Sequence, residues 1–307
     1  MIYFDLWVQD TYKFCTETSY AFVFTVFSHS MSLFITSLNS GSNGNCYYIG
    51  NAKEAVLIDA GISCRETEKR MNRLGLSMSS VKAIFVSHEH GDHITGIPGL
   101  SKKYQVPVYI TNSTLQSAGI PVEKHLLCSF IASQPVTIGE LAITAFSKSH
   151  DAIDPHSFIV SSNGITIGIF TDIGFSCKET VRHFAKCHAA FLEANYCEDM
   201  LSKGNYPFHL KKRISGQEGH LSNAQALDLF TRHKGKHLSH LILSHLSKNN
   251  NCPELVGRLF TSIAGSTKIV VASRYQETPV FHIEKGRSIQ DYSQKSSARQ
   301  VQQLSLF

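Results

Sequence analysis

Apolar residues along the chain recur in short runs that alternate with polar turn residues. From Leu33 onward, runs rich in β-branched and aromatic residues are bounded by Gly, Ser, Asn or Asp, as is typical of buried strands. The first runs follow one another like hairpins, and later ones alternate with helical patterns. The strands are predicted at residues 33–37, 46–50, 55–59, 81–87, 108–110, 141–146, 157–161, 165–171, 189–193 and 241–244.

Three helices are predicted from signals at their first residues. Each signal is a polar capping residue followed by Glu, Gln or Pro at a position that favours a helix start. The first helix should end near Leu74, because Gly75 stops it. Together with the strands, these helices predict an α/β protein in which mixed sheets are covered by helices. The signals are Ser63 with Glu66, Ser222 with Gln225, and Asn251 with Pro253.

Length and composition indicate one globular catalytic domain with a tail at each end. The chain has 307 residues, of which 42% are hydrophobic and 17% charged, so it is neither disordered nor fibrous. Residues 1–30 are predicted to be a non-native or disordered extension, with Met31 as the native start, residues 31–285 the catalytic domain, and residues 286–307 a flexible polar tail. A net charge of +5 favours polyanionic partners only weakly.

The location is predicted to be cytoplasmic, with no membrane association. The apolar stretch 20–27 is too short to span a bilayer, and acidic rather than basic residues precede it, unlike in a signal peptide. The eight cysteines form no CxxC pair and are expected to be reduced thiols.

The strongest chemical signal is the sequence Ser-His-Glu-His-Gly-Asp-His at residues 87–93, directly after a predicted strand. Imidazole and carboxylate groups are the usual ligands of Zn²⁺ and also suit Mn²⁺ or Fe²⁺. In an extended segment, His88 and His90 point the same way, while Asp92 and His93 turn toward a second position. A polar surface loop is the alternative, but further candidate ligands end other strands, as a multi-segment site requires. These are Asp59, His150, Asp172 and His245.

These motifs, in this order, resemble the HxHxDH signature and flanking motifs of the metallo-β-lactamase superfamily, over residues 33–272. The resemblance implies an αββα sandwich of two mixed β-sheets flanked by helices, with two divalent metal ions, Zn or Mn, and Fe as a further candidate. Asp59 would hydrogen-bond a ligating histidine and support catalysis from there. The implied ligands are His88, His90 and His150 for the first metal, Asp92, His93 and His245 for the second, and Asp172 as the bridge.

Shorter loops resemble the YycJ/WalJ group of bacterial DNA exonucleases. The loops are the Ser-Gly-Ser-Asn-Gly-Asn-Cys sequence at 40–46 and the segments 150–155, 219–223 and 245–250. This resemblance implies a DNA exonuclease in repair or replication, with a hydroxide shared by the metals as nucleophile and Asp92 among the catalytic residues. A hydrolase of a small ester, thioester or lactam is the alternative activity, and a non-catalytic adaptor is a third class.

Other residues are candidates for proton transfer and substrate contact. His220 could protonate the leaving oxygen or hold a phosphate, or it could help to cap the helix that follows. The loop carrying Ser40, Asn43 and Asn45, and the pair Lys248 and Asn249, could bind an anion or form ordinary turns. The basic run 211–213 could meet a phosphate backbone or be a solvated surface.

Two further expectations concern the size and the end of the chain. The stretch between Asp172 and His220 is too short for an inserted domain of about 100–150 residues, which favours a nuclease without a cap domain. The final pentapeptide resembles the motif with which bacterial replication and repair proteins bind the sliding clamp, although the tail could instead fold back on its own domain. Its residues are Gln303, Leu304, Ser305, Leu306 and Phe307.

Overall fold

A computed structural model describes residues 32–285, so the predicted N-terminal extension and the tail with its pentapeptide lie outside the described residues. Fourteen strands form two sheets of seven strands each. They are β1 Ser32–Asn39, β2 Cys46–Gly50, β3 Ala55–Ile58, β4 Val81–Phe85, β5 Val108–Tyr109, β6 Leu127–Cys128, β7 Pro135–Ile138, β8 Leu141–Ser147, β9 His156–Ser162, β10 Ile165–Phe170, β11 Ala189–Glu193, β12 His240–Ser244, β13 Lys268–Val271 and β14 Phe281–Glu284.

Both sheets are mixed, as predicted. The first has the order β14-β1-β2-β3-β4-β5-β6 and the second β13-β12-β11-β10-β9-β8-β7. In the first sheet the pairs from β14 to β3 are antiparallel and those from β3 to β6 are parallel. In the second, β7 to β10 pair antiparallel and β10 to β13 parallel. The carboxyl ends of the parallel strands therefore gather at one edge of each sheet.

The sheets pack face to face because their strands are apolar on both sides. In β2, Tyr47 and Ile49 point into the core between the sheets, while Cys46 and Tyr48 point to the helices that cover the outer face. Phe170 of β10 likewise joins the outer core of the second sheet. This alternation explains why the central strands appear as continuous apolar runs in the sequence.

Nine helices cover the outer faces and connections in the described part of the chain. The core helices pack through Met71 on the first sheet and through Phe230 and Phe260 on the second. No helix within residues 32–285 is long and apolar enough to cross a membrane. The helices are α1 Cys64–Arg73, α2 Gly91–Ile94, α3 Ile97–Tyr104, α4 Asn112–Ala118, α5 Lys178–Phe184, α6 Glu198–Lys203, α7 Phe208–Ile214, α8 Asn223–His233 and α9 Pro253–Thr261.

Two of the predicted helix starts need correction. Ser63 caps α1 by accepting from Glu66 N, but the Glu66 carboxylate pairs with Arg70 instead of closing the capping box. The N-cap position of α9 is occupied by Cys252, which makes no side-chain cap bond, and the side-chain amide of Asn251 donates to the two backbone carbonyls that follow β11. Only α8 has the complete capping box, between Ser222 and Gln225.

Candidate metal centre

The predicted ligands lie together at the edge where the carboxyl ends of the central strands meet. Most of the side chains stand directly after a strand or on the loop that follows it, and Asp92 and His93 stand on the short helix α2, which begins at Gly91 after β4 has ended at Phe85. His88, His90, Asp92 and His93 follow β4, His150 follows β8, Asp172 follows β10 and His245 follows β12.

His88, His90 and His150 form the first group, as the resemblance implied. One nitrogen from each ring lies within 4.8 Å of the other two. Nε2 of His88 is 3.0 Å from Nδ1 of His90. Two ring nitrogens this close need a proton or a cation between them, because their lone pairs repel.

Asp92, His93 and His245 form the second group, also within 4.8 Å of one another. Oδ2 of Asp92 lies 3.6 Å from Nε2 of His93 and 3.6 Å from Nε2 of His245. Asn45 donates to the same carboxylate oxygen at 3.1 Å, which fixes its orientation.

Asp172 lies between the two groups. Its Oδ2 is 3.2 Å from Nε2 of His93, and its Oδ1 is 3.8 Å from Nε2 of His150 and 3.1 Å from Nδ1 of His245. Asp172, Asp59 and His245 have φ angles of 56°, 59° and 55°, in the left-handed region. The strands thus end in sharp turns that only a few residue types, Asp and His among them, adopt at low cost.

Asp59 orients two histidines from behind. Its Oδ2 accepts from Nδ1 of His93 at 2.7 Å and from Oγ of Ser87 at 2.8 Å. Because Ser87 Oγ donates its hydrogen to Asp59, it accepts from Nδ1 of His88, 2.8 Å away. Both rings therefore carry their proton on Nδ1 and present Nε2 to the centre.

Glu193, at the end of β11, performs the same task on the other side, and the sequence analysis missed it. Its Oε1 accepts from Nδ1 of His220 at 2.8 Å and from Nδ1 of His245 at 3.0 Å. Burial opposes the ionised form, but the charge and hydrogen bond of His220 and the bond from His245 lower the pKa of Glu193 to about 2. A carboxylate at the end of a buried strand, as at Asp59, was the signal that could have revealed it.

The charges of the centre favour a cation. Burial opposes protonation of His93, but Asp172, Asp59 and Asp92 raise its pKa to about 10. The pKa of Asp92 is lowered to about 2, since His93 and His245 outweigh the effect of burial. Lys148 is the one buried ammonium group of the described chain near these carboxylates, and it donates to Thr171 O at 2.7 Å. Burial lowers its pKa.

Buried atoms without a partner test whether the residues fit metal ions. Among residues 32–285, Nε2 of His150, Oδ2 of Asp172 and Nε2 of His245 are buried and make no hydrogen bond. Leaving three such atoms unsatisfied costs several kcal/mol, roughly 1–3 for each. All three belong to the implied ligand set, and divalent cations bound between them would satisfy each one. The residues therefore fit bound divalent metal ions.

His220 stands at the rim of this site. Its side chain is 20% exposed, and its ring centroid is 5.2 Å from those of His150 and His245. The alternative role as a helix cap is not supported, because Ser222 itself caps α8 and the His220 ring bonds to Glu193.

Ser40 and Asn45 are not exposed to substrate, which corrects the prediction for this loop. The Ser40 hydroxyl accepts from His245 N at 2.7 Å and bonds to the Tyr47 hydroxyl at 2.9 Å. Asn45 is buried against Asp92. Four backbone N–H groups of this loop, which were expected to face an anion, donate to internal acceptors; they belong to Ser40, Gly41, Gly44 and Asn45. Both side chains thus support the metal ligands.

The remaining predicted substrate contacts lie on the surface near the site. Asn43 is exposed and donates to Arg274 O at 3.0 Å. Lys248 and Asn249 are exposed on the loop after His245, and Asn249 donates to the hydroxyl of Tyr206 at 3.1 Å. They are available to a ligand, and their role stays a prediction.

Comparisons with known proteins agree with this geometry. The chain is 32% identical over 230 residues to exodeoxyribonuclease YycJ of Bacillus anthracis, and this alignment covers 73% of this chain and 86% of YycJ. It is 30% identical over 226 residues to exodeoxyribonuclease WalJ of Streptococcus pneumoniae, and this alignment covers 71% of this chain and 83% of WalJ. The fold matches the metallo-β-lactamase fold protein YhfI of Bacillus subtilis with a TM-score of 0.64 at 16% identity, over 82% of this chain and 99% of YhfI.

A family model described as the beta-lactamase superfamily domain matches residues 54–246, which is more than half of the chain. The matched region begins just before β3 and ends just after His245, so it contains most of the strand ends that carry the centre. With its two mixed sheets flanked by helices and its similarity to YycJ and WalJ, the chain belongs to the β-lactamase superfamily and has the metallo-β-lactamase fold.

Proposed function

We propose that this protein is a two-metal phosphodiesterase that removes nucleotides from the ends of DNA. The observation that carries the proposal is the pair of histidine groups joined by Asp172, which offers two cation positions side by side. Two metals roughly 3.5–4 Å apart are the usual arrangement for phosphoester hydrolysis. The printed names of the relatives, both exodeoxyribonucleases, support DNA as substrate.

His88, His90 and His150 would hold one ion, Asp92, His93 and His245 the other, and Asp172 would contact both. We propose Zn²⁺ or Mn²⁺, with Fe²⁺ as a further candidate, because imidazole and carboxylate ligands suit all three. Such ions, when bound, polarise phosphoryl oxygens and make water more acidic. The chain itself contributes the fixed direction of the ligands, since the Nδ1 protons of His93, His88 and His245 are accepted by Asp59, Ser87 and Glu193 respectively.

His220 is our candidate for protonating the leaving oxygen. Glu193 accepts from its Nδ1, which fixes the orientation of the ring and leaves Nε2 as the atom that would deliver a proton. Its partial exposure at the rim, beside His150, supports this role, because a phosphate that approaches the two groups would pass close to its ring.

The test is digestion of end-labelled DNA by the wild type beside Asp92→Ala and His220→Ala, with Zn²⁺ or Mn²⁺ added. We expect loss of more than about 10³-fold for Asp92→Ala and about 10²–10⁴-fold for His220→Ala. With bis(4-nitrophenyl) phosphate, whose leaving group needs no proton, the loss for His220→Ala should be much smaller. Asp228→Ala, on the surface of α8, is the control.

Two results would refute parts of this proposal. An equal loss for His220→Ala on both substrates would remove its role as proton donor. A wild type that leaves DNA intact but turns over a chromogenic thioester or lactam would replace the nuclease by the alternative hydrolase.

We also propose a cytoplasmic site of action and binding to the DNA sliding clamp. The seven cysteines of the described residues are free, which suits a reducing compartment. The clamp proposal depends on the terminal pentapeptide, whose Leu and Phe side chains suit an apolar groove. Deleting residues 303–307 should abolish binding to purified clamp in a pull-down, and unchanged binding would end this idea.

A further inference from the structure

Helix α7 differs from the other helices of the described chain because it buries none of its residues. Its first residue, Phe208, is 80% exposed, more than any other large apolar side chain of residues 32–285. Single exposed apolar residues are common, so this observation has weight only with its surroundings. Those surroundings are basic and adjoin the metal centre.

The rest of α7 carries positive charge and no acidic residue. Lys211, Lys212 and Arg213 follow one another in the last turn. Lys211 donates to Ser202 O, and Arg213 pairs with Asp151. Lys212 is exposed, and its ammonium group makes no hydrogen bond or ion pair with the described residues. One helix therefore offers an unpaired ammonium group beside an exposed phenyl ring.

An open cleft lies between α7 and the loop after β8 that carries His150. It has a volume of about 580 Å³, and its walls include His209 and Lys212 from the helix and Asp151 from the loop after β8. Oδ1 of Asp151 lies 3.4 Å from Nε2 of His150, one of the first group. The segment after α7 is fixed to the same loop, since Gly219 O accepts from Nδ1 of His150 at 3.0 Å.

We propose that α7 and this cleft bind the single-stranded end of the DNA and direct it toward His150. A base stacks on Phe208, and Lys212 contacts a phosphate of the same strand. The partner is single-stranded, because bases inside a duplex are stacked on their neighbours and offer no free face to a phenyl ring. The Arg213–Asp151 pair holds the helix at the cleft. This inference rests on the proposed nuclease function and assigns its substrate form.

The test is steady-state digestion of a single-stranded oligodeoxynucleotide of about 12 nucleotides. Phe208→Ala should raise KM about tenfold with little change in kcat, because one stacked base is lost from binding. Lys212→Ala should raise KM and reduce the slope of log KM against log salt by about 0.7, the value for one phosphate contact on a single strand. A blunt duplex of the same sequence should show a smaller effect of Phe208→Ala.

The matched controls are Ile263→Ala and Lys236→Ala, which lie ahead of β13 and β12, away from the carboxyl ends. Both should behave as the wild type. Thermal unfolding of each variant checks folding, which α7 substitutions should leave unchanged because the helix buries nothing.

The outcomes separate this inference from the proposed function. If the wild type digests DNA and Phe208→Ala matches Ile263→Ala in KM, the inference is overturned and the nuclease stands. An equal effect of Phe208→Ala on duplex and single strand would also overturn it, since stacking requires a free base. If the wild type digests neither the single strand nor the duplex, the proposed nuclease function itself is refuted.

Discussion

At the scale of single residues, the centre depends on carboxylates that each serve two side chains. Asp59 orients His93 directly and His88 through Ser87. Glu193 orients His245 and His220. Fixing the proton on Nδ1 leaves Nε2 as a lone-pair donor, so these buried carboxylates determine which atoms can bind metal.

Replacing Glu193 by Gln tests this sharing. His220 and His245 donate to Oε1 of Glu193, while two backbone N–H groups donate to Oε2, so the amide group of Gln would face N–H donors in either orientation. We expect metal affinity or kcat to fall about 10–100-fold. Competition with a chelator measures the affinity, and Glu179→Gln on the surface of α5 is the control. Wild-type values for both quantities would show that Glu193 only fills space.

His240 makes a prediction about acid stability. Burial, and then the charge of Lys268, lower its pKa from 6.5 to about 4. The unfolded chain therefore takes up the proton more readily, so this contribution to stability is complete above pH 6.5 and is lost as the pH falls toward 4. His240→Gln should reduce the loss of unfolding free energy between pH 7 and pH 5 by about 1 kcal/mol, discounted for partial exposure.

Urea unfolding at both pH values measures this change. His125→Gln, at an exposed position, serves as the comparison and should keep the wild-type pH dependence. If His240→Gln loses as much stability on acidification as the wild type does, the His240 ring is not the cause of that loss.

At the scale of elements, helix α8 shows how local sequence signals fix part of the site. Ser222 Oγ accepts from Gln225 N at 3.1 Å, and Gln225 Oε1 accepts from Ser222 N at 2.8 Å. The capped end fixes the path of the chain two residues after His220. The helix is thus a rigid support for the loop that carries the candidate proton donor.

Ser222→Ala should lower the free energy of unfolding by about 1 kcal/mol, because an N–H at the helix start loses its acceptor. Thr231→Ala, on the exposed face of the same helix, should change stability by less than about 0.5 kcal/mol. Both values come from urea midpoints at a constant slope. A Ser222→Ala protein as stable as Thr231→Ala would show that the box contributes nothing.

At the scale of the whole molecule, the centre joins the two sheets. Asp92 and His93 follow a strand of the first sheet, whereas His150, Asp172 and His245 follow strands of the second. Bound ions would therefore connect halves that otherwise meet through the apolar core between them. Metal should stabilise the folded state as a whole, because the unfolded chain lacks the assembled ligands.

Chelation should lower the unfolding temperature in one cooperative step. Metal at about 1,000 times its Kd contributes about 4 kcal/mol, or roughly 10 °C for a domain of this size. Asp172→Asn should show a much smaller shift, and Asp228→Asn should keep the wild-type shift. Differential scanning calorimetry measures both, and a wild type that is insensitive to EDTA would contradict a metal centre between the sheets.

The sequence alone predicted the central strands because buried strands have continuous runs of apolar residues. β2 and β11 have the predicted bounds, and the others differ at their ends by one or two residues. The four edge strands β6, β7, β13 and β14 were missed, since edge strands are only partly apolar. Most helices were missed as well, because four to eight residues span only one or two turns and show little periodicity.

The sequence by itself determined the kind of chemistry: which imidazoles and carboxylates stand at strand ends, and hence that cations are the expected ligands. Only the tertiary structure decided how these groups are shared. It brought two histidines to Glu193 and turned Ser40 and Asn45 inward to support the ligands. It also linked α7 to His150 through Asp151. The reason is physical, because periodicity reports the burial of one segment, whereas contacts between strand ends depend on pairings between residues far apart in the chain.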